Sequence, residues 1–437
     1  MRIKQNVCSK MWTDTNVNFR LNSIRHCCKQ LEVPVSLQEV KDYGIDIFEQ
    51  YPVLRTDKRT MLIDNEIPET CKLCKINDKQ SIRHSWNKWS DDYINHNRQD
   101  MMVDDMAEYI ELDLGNKCDL ACVYCGPWAS STWAKEMGQP NKPISDYDKE
   151  WRDRMLELVT KRIEQMAQDG KKNFSVNFLG GEPTLMPETY KILDNIIPVL
   201  KKYDCTPNLM FTTNLNTKEK LFDRFIDIIK NTNNFAHWSI GVSIENVGKR
   251  AELVRYGLDF ERMTRNLGVL APHAKIWFTC THNTMNLPHF HQTLDYFFNV
   301  LDSDLYMIED VGKGWGITPN CVYDNVLDPA YLDKHHVDWD RLYETMQRHN
   351  VAQDLKDHIQ NIQQRVGTKQ RGDKFYIYYR NLFLRTPEYA THFDYIIQML
   401  KDLENTVSPY LLEPDRFNTP WKTNTNISDL VLNEDKQ

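Results

Sequence analysis

The chain has 437 residues, 41% of them hydrophobic and 27% charged, enough to bury the cores of two or three domains. A net charge of −8 and a pI near 5.9 leave no general basic field for nucleic acid, although a local patch stays open. No apolar run of roughly 18 residues exists to cross a membrane, and residues 1–6 lack the apolar core of a signal peptide.

The expected compartment is therefore the cytoplasm, where thiols stay reduced and eleven cysteines point to metal rather than disulfides. Five of them fall in residues 1–98: Cys8, Cys27, Cys28, Cys71 and Cys74. Cys71-Lys72-Leu73-Cys74 is a C-x2-C pair, a spacing that lets both sulfurs reach one metal. Before the pair, Ser36 followed by Glu39 three residues later predicts a helix start through a capping box. After it, residues 78–95 read as a polar, Trp-containing helix. Four thiolates suit zinc as well as an iron–sulfur cluster, so these cysteines leave the metal open.

The strand-like run 109–114 leads into Gly115-Asn116-Lys117-Cys118-Asp119-Leu120-Ala121-Cys122-Val123-Tyr124-Cys125-Gly126. Three cysteines at C-x3-C-x2-C on one short loop can hold three irons of a four-iron, four-sulfur cluster. The fourth iron is then open, whereas electron-transfer clusters use four cysteines. A structural zinc site wants a fourth ligand in close pairs, and an odd number of thiols argues against a disulfide.

Strand candidates follow at 174–179, 208–213, 238–244, 275–281 and 304–308, with helices between them such as 149–169 and 190–203. This alternation predicts an α/β fold with a parallel sheet. The second candidate strand ends in Gly180-Gly181-Glu182-Pro183, where glycines let backbone approach a ligand and a carboxylate can accept from an ammonium. Later candidate strands end in Thr212-Thr213-Asn214 and Ser243-Ile244-Glu245, and Arg255-Tyr256-Gly257 comes further on. Carboxylates suit ribose hydroxyls and arginine suits a carboxylate, though polar strand ends and exposed helix charges are common. Cys205, Cys280 and Cys321 read as small buried apolar residues, although Cys280 or His282 could face a cavity. The stretch 314–321 reads as loop.

The C-x3-C-x2-C loop, with Tyr124 before its last cysteine, resembles the signature of the radical SAM superfamily. The resemblance implies a partial (β/α)6 TIM-like barrel over residues 104–325. It implies a catalytic 4Fe-4S cluster on Cys118, Cys122 and Cys125, with S-adenosylmethionine (SAM) chelating the open iron. Reductive cleavage of SAM would release a 5′-deoxyadenosyl radical that takes hydrogen from a substrate. Tyr124, Gly180, Gly181, Glu182, Pro183, Asn214, Ser243, Glu245 and Arg255 occupy positions that match SAM-site motifs of that family. Leu215 stands where the family has glycine, and Glu245 where it has aspartate.

Residues 1–98 resemble a twitch or SPASM-like auxiliary cluster module, placed before the barrel as in a twitch-domain group common in phage genomes. Cys8, Cys71, Cys74 and either Cys27 or Cys28 would hold a second 4Fe-4S cluster. Asn22 stands where such modules often have glycine, and asparagine tolerates positive φ. These resemblances imply modification of a peptide or protein, with an external one-electron donor such as flavodoxin or ferredoxin. Nucleotide or tRNA base modification is an alternative that the acidic balance disfavours. A non-catalytic iron–sulfur or zinc scaffold is another, and it has no need of an open iron.

From residue 326 to 437 the pattern is a polar helical extension, with helices over 337–349, 353–366 and 390–405 and a turn at 370–374. Arg380 and Arg385 beside Tyr376, Tyr378 and Tyr379 could touch RNA or a peptide, or form plain helix surface.

Overall fold

A computed structural model describes residues 8, 10–27, 30–72, 108–139, 145–300, 317–322 and 325–404. Cys28, Cys74, the helix expected over 78–95 and the strand expected over 304–308 lie outside the described residues. The strands are β1 (Asp14–Asn18), β2 (Ser23–Arg25), β3 (Val33–Pro34), β4 (Tyr109–Asp113), β5 (Ala121–Cys122) and β6 (Ser175–Leu179), followed by β7 (Asn208–Thr213), β8 (His237–Ser243), β9 (Arg255–Tyr256), β10 (Lys275–His282) and β11 (Ile317–Cys321). The result is an α/β fold with a large, mostly parallel sheet flanked by helices. Two compact units divide the chain: residues 1–117, 142–212 and 219–240 form one, and 118–141, 213–218 and 241–437 form the other.

In the first unit the strand order runs β3-β2-β1-β4-β6-β7 and ends on the first half of β8. The β1–β4, β4–β6 and β6–β7 pairs are parallel, and only the short β2 and β3 run antiparallel. Residues 109–113 and 175–179 alternate in polarity, so each strand turns one face to apolar packing and one to polar groups. On the apolar face Phe178 stacks on Phe211 at 4.5 Å, and Phe225 from helix Glu219–Thr232 meets Phe211 edge-on at 5.1 Å. Burying side chains of this size contributes on the order of 2–3 kcal/mol each.

Helix Asp146–Gln168 packs against the N-terminal residues. Its Trp151, fully buried, packs edge-on against Phe19 at 5.9 Å and donates its indole N–H to Val35 O at 2.8 Å. The helix expected after Ser36 is present as Leu37–Tyr43, with both bonds of the capping box formed. Asn22 has φ 48, the conformation for which glycine would otherwise be used, and its side chain donates to Asp148.

In the second unit β10 lies between the second half of β8 and β11. The stretch 314–321, read as loop, instead contributes β11, which pairs in parallel with β10 from Phe278↔Ile317 to His282↔Cys321. Pro319 hides this from the sequence, because proline cannot donate to a ladder and is tolerated on an edge strand. The C-terminal helices Trp339–Arg348, Gln353–Arg365 and Asp394–Glu404 follow the expected order. The basic–aromatic cluster is divided: Tyr376 and Tyr379 of helix Asp373–Arg385 are core residues, whereas Tyr378, Arg380 and Arg385 are half-buried, and Arg385 pairs with Glu136.

Several imidazoles of this unit are held neutral. Burial, with Arg250 and His291 nearby, lowers the His289 pKa from 6.5 to about 4. The unfolded chain takes up this proton near pH 6.5 and the folded chain resists it, so stability is lost as pH falls from 6.5 towards 4. The expected slope is at most about 1.4 kcal/mol per pH unit for this group. Urea midpoints taken across that window should fall, and the fall should be shallower in His289→Asn.

Candidate functional site

The loop after β4 carries Cys118, Cys122 and Cys125 in the second unit, and its backbone is tied down along its length. Cys118 N–H donates to Ser131 Oγ at 3.1 Å, while Cys118 O accepts from Thr132 at 2.8 Å. Trp133 donates its indole N–H to Cys122 O at 2.7 Å. Residues Ala121–Cys122 form the short strand β5, which pairs antiparallel with β9, placing Cys122 opposite Arg255. Val123 N–H reaches Val254 O at 2.9 Å, and Tyr378 OH donates to Val123 O at 3.2 Å. Tyr378 thus braces the cysteine loop.

Around Cys122 the structure gathers Tyr124, Glu245 and Arg255. Glu245 is fully buried and grips the guanidinium with both oxygens, Oε2 to Nε at 2.8 Å and Oε1 to Nη2 at 2.7 Å. Tyr124 OH donates to the same Oε1 at 2.9 Å, and Thr281 N–H lies 3.3 Å from it. The remaining guanidinium nitrogen, Nη1, points at Cys122 Sγ from 3.7 Å. Bidentate geometry fixes the arginine, which has a rigid fork of donors. Ser243, at the end of β8, is half-buried.

A second polar knot surrounds Cys118. Asn214 Nδ2 donates to Asp119 Oδ1 at 3.0 Å and lies 4.0 Å from Cys118 Sγ. Asn216 donates to the other Asp119 oxygen at 2.8 Å. Leu215 between them has φ 52, so the backbone keeps the glycine-like conformation although the residue is leucine. Its complete burial offsets strain of about 1 kcal/mol.

The Gly180–Pro183 turn belongs to the first unit and packs on the residues that precede Cys118 in the chain. Gly181 N–H donates to Gly115 O at 2.7 Å and Glu182 N–H to Lys117 O at 2.8 Å. A Cβ on Gly181 would stand 2.5 Å from Lys117 O and 2.7 Å from the Asn116 carbonyl carbon. Both glycines are therefore required by close backbone approach, and Gly180 also has φ 134. Glu182 is buried, and its Oε1 accepts from Thr184 N–H and Thr184 OH. Gly181→Ala should force the two segments apart and cost about 1–3 kcal/mol. A urea titration would show the loss, and iron uptake on reconstitution should fall with it.

Thiols in this setting need a metal to ionise. Burial pushes the Cys122 thiol up to about 12 and raises that of Cys125. A bound cation reverses this and deprotonates its thiol ligands outright. The donors aimed at the Cys118 and Cys122 sulfurs suit thiolates, so the residues present fit an iron–sulfur cluster. In the first unit Cys8 and Cys71 share one buried cluster with Met11, Trp12 and Met61. The turn holding the half-buried Cys27 is tied to the residue before Cys71 by Leu31 N–H to Thr70 O at 2.9 Å.

Among the described residues, single-ion geometry occurs at Asp333, His335 and His336. There, Asp333 N–H donates to His336 Nδ1 at 3.0 Å and Arg371 occupies the Asp333 carboxylate, which makes the group a helix cap. Cys280 and His282 are fully buried and neither faces open space, while Cys205 is core and Cys321 half-buried. Sequence reading missed Asp119, Asn216, Trp133 and the role of Tyr378. The first stands inside the cysteine loop itself, and the others meet that loop only through the fold.

Residues 112–296 match the radical SAM superfamily. No curated protein matches the chain. Solved structures of Streptococcus suis SuiB are similar to it. The structure of SuiB alone has 16% identity over 58% of this chain and 47% of that one, with a TM-score of 0.30. SuiB bound to S-adenosylmethionine has 15% identity over 63% and 52%, with a TM-score of 0.32. SuiB bound to the precursor peptide SuiA has 16% identity over 49% and 41%, with a TM-score of 0.29. The match spans about half the length of these SuiB chains.

Proposed function

From a radical SAM superfamily domain over residues 112–296, the domain of an enzyme that uses SAM and a 4Fe-4S cluster, we propose that this chain modifies a peptide or protein by radical chemistry. Cys118, Cys122 and Cys125 hold the cluster. When bound, the cluster supplies the electron that cleaves a carbon–sulfur bond of SAM to give a 5′-deoxyadenosyl radical. The partner this would require is an external one-electron donor of the flavodoxin or ferredoxin kind.

The protein's own part is binding, orientation and exclusion of water. Arg255 is fixed by Glu245 and turns its remaining nitrogen, Nη1, towards the Cys122 sulfur, where it would meet a carboxylate or a cluster sulfide. Glu245 and Asn214 supply polar contacts for the ribose and the methionine carboxylate. Glu182 at its turn serves the methionine ammonium. Tyr124 closes one side of the Glu245–Arg255 pair. Cys8, Cys71, Cys74 and Cys27 or Cys28 hold an auxiliary cluster. The shared burial of Cys8 and Cys71 supports that placement. The peptide substrate rests on the resemblance of this cysteine arrangement to auxiliary modules.

The observation that carries the reading is a three-cysteine loop, pinned at every turn, with hydrogen-bond donors aimed at two of its sulfurs. Anaerobic reconstitution should give about eight irons per chain, four for each cluster. The reduced catalytic cluster should change its EPR spectrum when SAM is added. Bound zinc with no iron, or an EPR spectrum indifferent to SAM, would remove the reading.

A further inference from the structure

The polar face of the sheet in the first unit carries a buried acceptor that has no partner among the described residues. β1, β4 and β6 are in register so that Asn16, Glu111 and Asn177 form a row across three parallel strands. Glu111 Oε1 accepts from Asn16 Nδ2, and Oε2 accepts from Tyr109 OH at 3.3 Å and Asn177 Nδ2 at 3.2 Å. Asn177 Nδ2 also donates to Tyr109 OH at 2.7 Å. A carboxylate only accepts, so the amide nitrogen of Asn177 must face Glu111 and its oxygen must face away. That oxygen, on a side chain only 7% exposed, has no hydrogen-bond partner among the described residues. Buried polar atoms are almost always paired, and an unmet one asks for an explanation.

The surroundings point to a ligand. Ser175 and Leu179, on the same face of β6 as Asn177, are half-buried, whereas Val176 and Phe178 on the other face are fully buried. On β7 the alternation is stricter, with every second residue from Asn208 partly open. This face is more exposed than its reverse, and the buried, unpaired oxygen lies on it. Glu111 stands on the strand from which the cysteine loop leaves.

We propose that Asn177 Oδ1 receives a backbone N–H of a peptide substrate, with the Asn16–Glu111–Asn177 row holding it at a fixed height on the sheet. The inference rests on the peptide reading given above and names its anchor. A neutral N–H fits better than an ammonium. The row's one carboxylate is already loaded by three donors, so no bare charge is offered to repay a cation's lost hydration. Asn16 is itself engaged, accepting from Arg25 Nε at 3.1 Å, so Asn177 is the member with spare capacity.

The test is binding of two small amides to the reconstituted full chain, followed by saturation-transfer NMR. N-acetylglycine N-methylamide offers two peptide N–H groups, and N-acetylsarcosine N,N-dimethylamide offers none. The first should bind about tenfold more tightly, the size of one hydrogen bond to a buried acceptor. Asn177→Leu should abolish the preference. Should that variant fail to fold, the comparison of the two amides on the wild-type chain still decides. Equal binding of both amides, no transfer to either, or stronger competition by methylammonium would overturn the inference. Measuring 5′-deoxyadenosine formation by the wild-type chain separates the two readings. Cleavage without N–H preference removes only the Asn177 anchor, whereas preference without cleavage removes the radical reading and leaves a peptide-binding face.

Discussion

Replacing Cys122 with alanine is expected to bring dithionite-driven SAM cleavage to background and to lower bound iron by about four atoms per chain. Two of the three sulfurs cannot hold a cluster whose fourth iron already lacks a protein ligand. The fold should survive. Cys122 sits in β5, whose pairing to β9 uses backbone groups, and the side chain lost is small. Cys205→Ala is the matching control. Cys205 is also fully buried, but it lies in the loop before β7 and packs as an apolar residue. It should keep its iron and its activity, with stability reduced by about 1–2 kcal/mol. Iron content, the 5′-deoxyadenosine yield and a urea titration of the two variants together separate loss of the cluster from loss of the fold.

The second large effect is expected at Arg255. Arg255→Met leaves the carboxylate of Glu245 buried without its partner, a loss of about 3–5 kcal/mol. It also removes the donor beside the Cys122 sulfur, and groups that orient metal ligands typically matter by about 10–100-fold in activity or metal affinity. The double variant Arg255→Met/Glu245→Gln distinguishes the two contributions. With no charge left to bury, most of the stability should return, while the activity stays low. Recovery of activity along with stability would mean that the pair only holds the fold. Urea midpoints and initial rates of 5′-deoxyadenosine formation read the two effects separately.

How much of this was legible in the sequence depends on how local each signal is. The cysteine loop, the Gly-Gly-Glu-Pro turn and the capping box at Ser36 are short and carry their own chemistry. Strands β4, β6, β7, β8 and β10 were placed within a residue or so, because β-branched and aromatic runs bounded by turns are local too. The parallel pairing of β1 with β4 joins residues 95 apart, from Asp14↔Tyr109 to Asn18↔Asp113, and no local pattern announces it. β11 was missed because Pro319 reads as a breaker. The two-residue strands β5 and β9, which set Arg255 against Cys122, are too short to have a period. The Asn16–Glu111–Asn177 row has a different history. Its period-two polarity is written in residues 109–113 and 175–179, but Asn16 joins it only through that long-range pairing.

Glu245 shows the same division. Its place at a strand end was visible, whereas its bidentate hold on Arg255 was not. The two residues are ten apart and meet only because the chain turns back through helix Gly248–Val254. Leu215 is the reverse case. The sequence departs from the family's glycine there, yet the backbone keeps the left-handed conformation.

The central claim is that the three-cysteine loop supports reductive cleavage of SAM. Incubation of the anaerobically reconstituted full chain with SAM and dithionite, followed by chromatography of the products, tests it most directly. The account predicts 5′-deoxyadenosine and methionine in equal amounts, absent without dithionite and absent in Cys122→Ala. A fully iron-loaded chain that leaves SAM intact, or that forms 5′-deoxyadenosine equally well without Cys122, would contradict it.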